Sequence, residues 1–186
     1  MSAQFFFLKL RLRFVLSLFG FLVMLTPPAF AGGVSITSFG HSSLLVKGGG
    51  KSILLNPFKA VGCASRLKEP NLNVDIVLAS SELADEGARV ARGVFLVKPG
   101  SYRIGKMKIE GFSVDHDRLD GRRFGKGTVW QWQQGGVDFA HLGGVAGALN
   151  AEQRLLLGNP DVLIIAVGGG VKVYNAQEAE RIIRQL

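Results

Sequence analysis

Apolar and polar positions alternate along the first patterned part of the chain. Val34 to Phe39, Ser42 to Lys47 and Ser52 to Asn56 each read as a half-buried strand, because a period of two sends successive side chains to opposite faces of a sheet. Gly48-Gly49-Gly50 joins the last two as a tight hairpin turn, glycine accepting positive φ without a Cβ clash. After a loop from Lys59 to Asn73, Ile76-Val77-Leu78-Ala79 forms an unbroken apolar run, the pattern of a strand buried on both faces. A polar turn follows, and a helix is expected to begin near Asp85, whose carboxylate would cap it. Val94 to Val97 and Lys106 to Asp115 continue the strands, and Asp120 to Gly127 reads as an exposed basic loop. Thr128 to Gln133 and Gly136 to His141 make another hairpin, with Trp130 and Trp132 on one face, placed for the core. Asn150 caps a helix ending at Leu157, Asp161 to Val167 is a buried strand, and Asn175 caps a last helix from Ala176 to Leu186. Strands with a few interspersed helices predict a single α/β domain.

Composition changes this picture at the N-terminus. The chain has 186 residues, 47% hydrophobic and 19% charged, which suits one globular domain. Its net charge of +8 includes Lys9, Arg11 and Arg13, and removing these three leaves +5 for the remainder. No basic cluster is dense enough to claim nucleic acid as a partner. A basic flank ending at Arg13, an apolar run from Phe14 to Leu25 and the small residues around Ala31 are the signature of an export signal over residues 1–31. The expected domain is therefore 32–186, released by cleavage after Ala31 into a periplasmic or other extracytoplasmic space. The apolar run is shorter than the roughly 20 residues of a membrane span. Membrane contact would come only from leaving this segment uncleaved. Cys63 is the sole cysteine, so no internal disulfide forms, and it reads as a small buried hydrophobe.

The order of the motifs is more specific than any one of them. S-F-G-H-S-S-L-L-V-K-G-G-G-K-S-I-L-L-N-P-F runs from Ser38 to Phe58, D-I-V-L-A-S-S-E-L-A-D-E-G from Asp75 to Gly87, and V-D-H-D from Val114 to Asp117. H-L-G-G at His141 to Gly144 and D-V-L-I-I-A-V-G-G-G from Asp161 complete the series. Together they resemble the metallo-β-lactamase-fold hydrolases related to L-ascorbate-6-phosphate lactonase. The resemblance covers nearly everything from Val34 onward and implies an αβ/βα sandwich, here C-terminally shortened, because the family continues into one more strand carrying a last histidine.

The same alignment implies a zinc-activated water for hydrolysis and also shows what has changed. In the family the strand at Asp75 ends in T-H-x-H-x-D-H. Ser81, Leu83 and Glu86 stand in place of its three histidines, while Asp85 matches. His141 matches the histidine of H-L-G-D, and Gly144 replaces its metal-bridging aspartate; Asn56 replaces the aspartate of D-P-F. A catalytic zinc takes three protein ligands and one open position. The donors left for one ion at most are Asp85, Glu86 and His141, with Asp85 and His141 as the candidate catalytic pair. His41, His116 and Asp117 are expected to border a cleft for a small polar or anionic molecule. Each histidine also has a structural reading: His41 holding the first hairpin to the loop, His116 pairing with Asp117 or Asp85, His141 donating to a strand-end carbonyl. The sequence thus predicts a degenerate hydrolase-like protein with a retained cleft. The alternatives are an active zinc hydrolase of a lactone, ester or phosphorylated small molecule, and a protein whose open sheet edge is covered by a partner or a second copy.

Overall fold

The computed structural model describes residues 33–186. The export signal expected over residues 1–31 lies outside them. Two five-stranded mixed sheets face each other. The first contains β1 (Ser35–Gly40), β2 (Ser43–Gly48), β3 (Lys51–Leu55), β4 (Asn73–Leu78) and β5 (Arg92–Leu96), in that order. β1, β2 and β3 pair antiparallel, whereas β4 and β5 are added in parallel. The second runs β10-β9-β8-β7-β6, from β6 (Gly100–Ile104), β7 (Met107–Asp115), β8 (Lys126–Gln134), β9 (Val137–Gly143) and β10 (Val162–Ile165). Only β10 joins its neighbour in parallel.

The alternating pattern explains the layers. Val46, Ile53, Leu55, Ile76, Leu78 and Leu96 point inward from the first sheet against Ile109, Trp130, Trp132 and Phe139 of the second. Both tryptophans are core residues, as their pattern implied, and Trp132 stacks on Phe139 with ring centroids 5.0 Å apart. β4 is buried on both faces: Ile76 and Leu78 face the sandwich interior, while Val77 joins Leu45, Leu54 and Val74 on the outer face. Outside the second sheet lie α1 (Ala151–Leu157) and α2 (Ala176–Ile183), which set Leu157, Ala179 and Ile182 against Val129, Ala140 and Leu142. Asn150 and Asn175 close these helices with reciprocal capping boxes, through Gln153 and Glu178. The Gly49-Gly50 turn has φ of 55° and 72°, conformations open to glycine at little cost.

Four expectations are corrected. No helix starts at Asp85. A single turn forms there, with Glu86 and Gly87 N–H both reaching the Leu83 carbonyl, and it goes no further: Lys59 N–H bonds the Ala84 carbonyl and Ala88 N–H bonds the Pro57 carbonyl, so a neighbouring segment takes the groups that would continue a helix. β6 was not anticipated, because Pro99-Gly100 reads as a terminator; the strand begins at Gly100 and pairs with β7. β10 is half-buried along its length, being an edge of its sheet. Cys63 lies exposed in a short 3₁₀ turn, Gly62–Ala64.

Candidate functional site

The residues singled out by motif come from the ends of β4, β7 and β9 and from the β1–β2 turn. That is where an α/β framework gathers side chains from separate strands. Two tethers fix the loop after β4. The Trp130 indole donates to the Ala79 carbonyl across the sandwich at 2.9 Å. Buried Asn56 accepts from Ser80 N–H at 2.8 Å and reaches Ser42 Oγ at 3.4 Å. Asn56 has φ of 41°, a left-handed conformation that asparagine tolerates better than most residues. The residue that departs from the family's aspartate is thus a structural link between two loops.

Glu86 is the centre of the site, at 4% exposure. Its Oε1 accepts from Ser81 Oγ at 2.8 Å, its Oε2 takes a longer 3.4 Å bond from Ser80 Oγ, and His116 Nε2 stands 2.6 Å from Oε1. The last is a close polar contact without the alignment of a straight hydrogen bond. His116 is fully buried, and its Nδ1 faces the Phe124 carbonyl at 3.4 Å. It therefore pairs with Glu86, and neither Asp85 nor Asp117 is its partner. Gly144 lies so close that a Cβ there would collide with Glu86 Oε2, and Gly144 N–H donates to Ser80 Oγ.

Asp85 carries a different partner. Lys172, from the segment between β10 and α2, places Nζ 2.6 Å from Oδ2, and His41 Nε2 is 4.0 Å from the same oxygen. Burial alone would raise the Asp85 carboxyl, but the hydrogen bond and charge of Lys172 outweigh it and hold the group below its ordinary value. Asp117 organises its own loop, accepting from the backbone N–H groups of Leu119, Arg123 and Phe124. Its burial opposes ionisation, yet these donors keep its carboxyl below the ordinary value.

His141 is 2% exposed, and its Nδ1 has no hydrogen-bond partner among the described residues, so the expected strand-end carbonyl does not receive it. Desolvation pushes its pKa down to about 4, which makes the ring a neutral imidazole at pH 7. It lines a cavity of about 120 Å³ together with His41, Ser42, Leu44 and Ile164. A second cavity of about 420 Å³ includes Ser80, Ser81, Lys98, Phe124 and Lys126 in its wall. A third, of about 280 Å³, belongs to the helical layer around Arg154, Tyr174 and Arg181 and holds none of the motif residues.

Two strand-built layers, with helices outside the second and the motif residues at the strand ends, define an α/β sandwich. The chain belongs to the β-lactamase superfamily: the model of the Beta-lactamase superfamily domain matches residues 35–186. Among solved structures it is similar to a proposed Zn-dependent hydrolase of the metallo-β-lactamase superfamily from Thermotoga maritima. The identity is 27% and the TM-score 0.66, over 83% of this chain and 71% of the other. A proposed metal-dependent hydrolase from Parabacteroides distasonis shares the fold at 16% identity and TM-score 0.62, covering 82% and 77%. So does an isothiocyanate hydrolase from Delia radicum gut bacteria, at 12% and 0.59, covering 81% and 80%. No curated protein matches the chain.

Zinc in this fold would need three protein ligands converging on one point. Among the described residues, no three His, Cys, Asp or Glu side chains come together to hold an ion. Asp85 is engaged by an ammonium, Glu86 by His116 and two serines, and Gly144 offers no donor. The residues as arranged do not fit a catalytic zinc. The sequence motifs pointed to Asp85 and Glu86, but Lys172 was missed: it lies 87 residues from Asp85 and no motif marks it.

Proposed function

We propose that this protein is a degenerate hydrolase-like member of its superfamily, in which groups of the chain itself have taken the places of metal chemistry and a ligand-binding cleft is retained. The observation that carries this reading is Lys172 on Asp85. The one acid kept from the family's loop is neutralised by an ammonium of the same chain. Glu86 supports it, since its carboxylate fills the space beside Gly144 and is held there by His116 and Ser81. With no position left for a metal-bound hydroxide, the family's route to hydrolysis has no starting point. The order of G-H-S at Gly40 to Ser42 and N-P-F at Asn56 to Phe58 favours kinship with the lactonase-like branch. The pattern over residues 1–31 favours action outside the cytoplasm.

A second reading keeps zinc hydrolysis of a lactone, ester or phosphorylated small molecule through Asp85, Glu86, His116 and His141. It is favoured by one observation, the unpartnered Nδ1 of buried His141. Metal analysis and zinc calorimetry on the purified domain separate the two, combined with lactone and ester hydrolysis assays with and without zinc. The expected result is neither stoichiometric zinc nor zinc-dependent turnover. Stoichiometric zinc that is lost in Asp85→Ala and His141→Ala would overturn the degenerate reading.

A further inference from the structure

Arg154 of α1 and Arg181 of α2 line one cavity of about 280 Å³ in the helical layer. Buried Ala146, Leu149 and Ile182 give it apolar wall, and exposed Ala148 stands beside them. The Tyr174 hydroxyl, also in the wall, is spent on the Gly147 carbonyl at 2.7 Å.

The chain leaves both guanidiniums without a counter-charge. Glu178 is the one acid among the described residues of the wall, and it is already engaged. Both its oxygens accept from Arg118, and Oε2 also accepts from Asn175 N–H. These donors hold its carboxyl below the ordinary value, Arg118 contributing most. Glu180, the other acid of α2, pairs with Arg184. Among the described residues, no carboxylate forms an ion pair with Arg154 or Arg181. Arg154 donates once, from Nη1 to the Leu149 carbonyl, which anchors its guanidinium and leaves its other N–H groups for a ligand.

An anion answers that charge, and the walls decide which anion. A planar guanidinium grips a carboxylate or a phosphate through paired N–H···O bonds. Phosphate carries oxygens on every side, and those turned toward Ala146, Leu149 and Ile182 would lose their water without gaining a donor. A carboxylic acid keeps its charge at one end. An apolar cavity of about 150 Å³ admits benzene, so one of about 280 Å³ holds a ring-sized apolar body together with its carboxylate.

We infer that the cavity between α1 and α2 binds a small organic acid, its carboxylate on Arg154 and Arg181 and its apolar body against Leu149 and Ile182. No residue of the strand-end motifs takes part, so the inference stands apart from either reading of that site.

Benzoate is the probe, with benzamide as its neutral isostere and inorganic phosphate as the rival anion. The ¹⁵N-labelled protein is titrated with each to about 10 mM, which covers affinities down to the millimolar range. Expected is a saturable benzoate shift at the Ala148, Leu149 and Arg181 amides and at the Arg154 and Arg181 Nε signals, with none from benzamide. Arg181→Gln, at an exposed position where the folded spectrum should persist, weakens benzoate by at least about tenfold. Arg184→Gln, whose guanidinium is held by Glu180, leaves the affinity unchanged. Absence of saturation by benzoate overturns the inference, as does an Arg181→Gln protein that binds like wild type. So does equal binding of benzamide, tighter binding of phosphate, or an equal loss in Arg184→Gln, which would reduce the effect to general surface charge.

Discussion

The Glu86 carboxylate occupies the space that a side chain at position 144 would need: a Cβ built on Gly144 runs into Oε2. Gly144 is not among the residues with positive φ, so its backbone suits any amino acid and the obstacle is purely spatial. The carboxylate on the loop after β4 and the bare backbone after β9 therefore fit one another.

Gly144→Ala is expected to destabilise the domain by about 1–3 kcal/mol, because Glu86 must leave His116 and Ser81 to make room. In a Glu86→Ala background the same substitution becomes nearly neutral. Urea unfolding of the four proteins in a double-mutant cycle checks the coupling. Additive penalties would show that Glu86 does not fill that space in solution.

Lys172→Met leaves Asp85 partly buried without its ammonium. Without the hydrogen bond and charge of the ammonium, the Asp85 pKa should rise. Carboxyl ¹³C titration by NMR reads this directly. The stability cost is small, on the order of 1 kcal/mol, since the pair is about a quarter exposed.

His141 makes stability fall with acid. Its folded pKa of about 4 lies below the ordinary value of 6.5, so the unfolded chain binds a proton that the folded one refuses. Its contribution is intact above pH 6.5 and erodes as pH falls toward 4, at up to about 1.4 kcal/mol per pH unit. Unfolding curves at pH 7, 5.5 and 4.5 should be steeper in pH for wild type than for His141→Leu. Parallel pH dependences would remove the case for a neutral buried imidazole.

Gln134 links the two sheets. Its Nε2 lies 2.9 Å from the Lys51 carbonyl and 3.1 Å from that of Gly48, and its Oε1 accepts from the Trp132 indole at 3.1 Å. Gln134→Leu removes a donor from two part-buried carbonyls and leaves the buried Trp132 indole N–H unpaired, so a loss of about 2 kcal/mol is expected. Amide exchange should be fastest to rise at the β2–β3 turn. Unchanged protection there would count against the link.

Much of the framework is readable from local pattern. The period-two runs place β1 to β3, the continuous run Ile76 to Ala79 announces a doubly buried β4, and Asn150 and Asn175 mark both helix starts. Each depends on neighbours within a few residues, and the alternation of apolar positions encodes such neighbours. The reading failed where a tertiary contact overrode a local preference. Asp85 looked like a helix cap, but the turn there stops after one round, since Lys59 takes the Ala84 carbonyl and Pro57 takes the Ala88 amide. Cys63 looked buried from residue type alone and lies exposed, on a turn outside the core.

For the site, the sequence by itself determined which donors remain: Asp85, Glu86, His116 and His141 are present, and the serine, leucine and glycine at 81, 83 and 144 are not ligands of the usual kind. Only the tertiary structure decided what those donors touch. Lys172 reaches Asp85 across 87 residues, His116 reaches Glu86 from the far end of β7, and the Nδ1 of His141 is buried without a partner among the described residues. The reason is physical. Residue chemistry is carried by composition, but desolvation and charge compensation depend on distances of a few ångströms, and folding alone sets those.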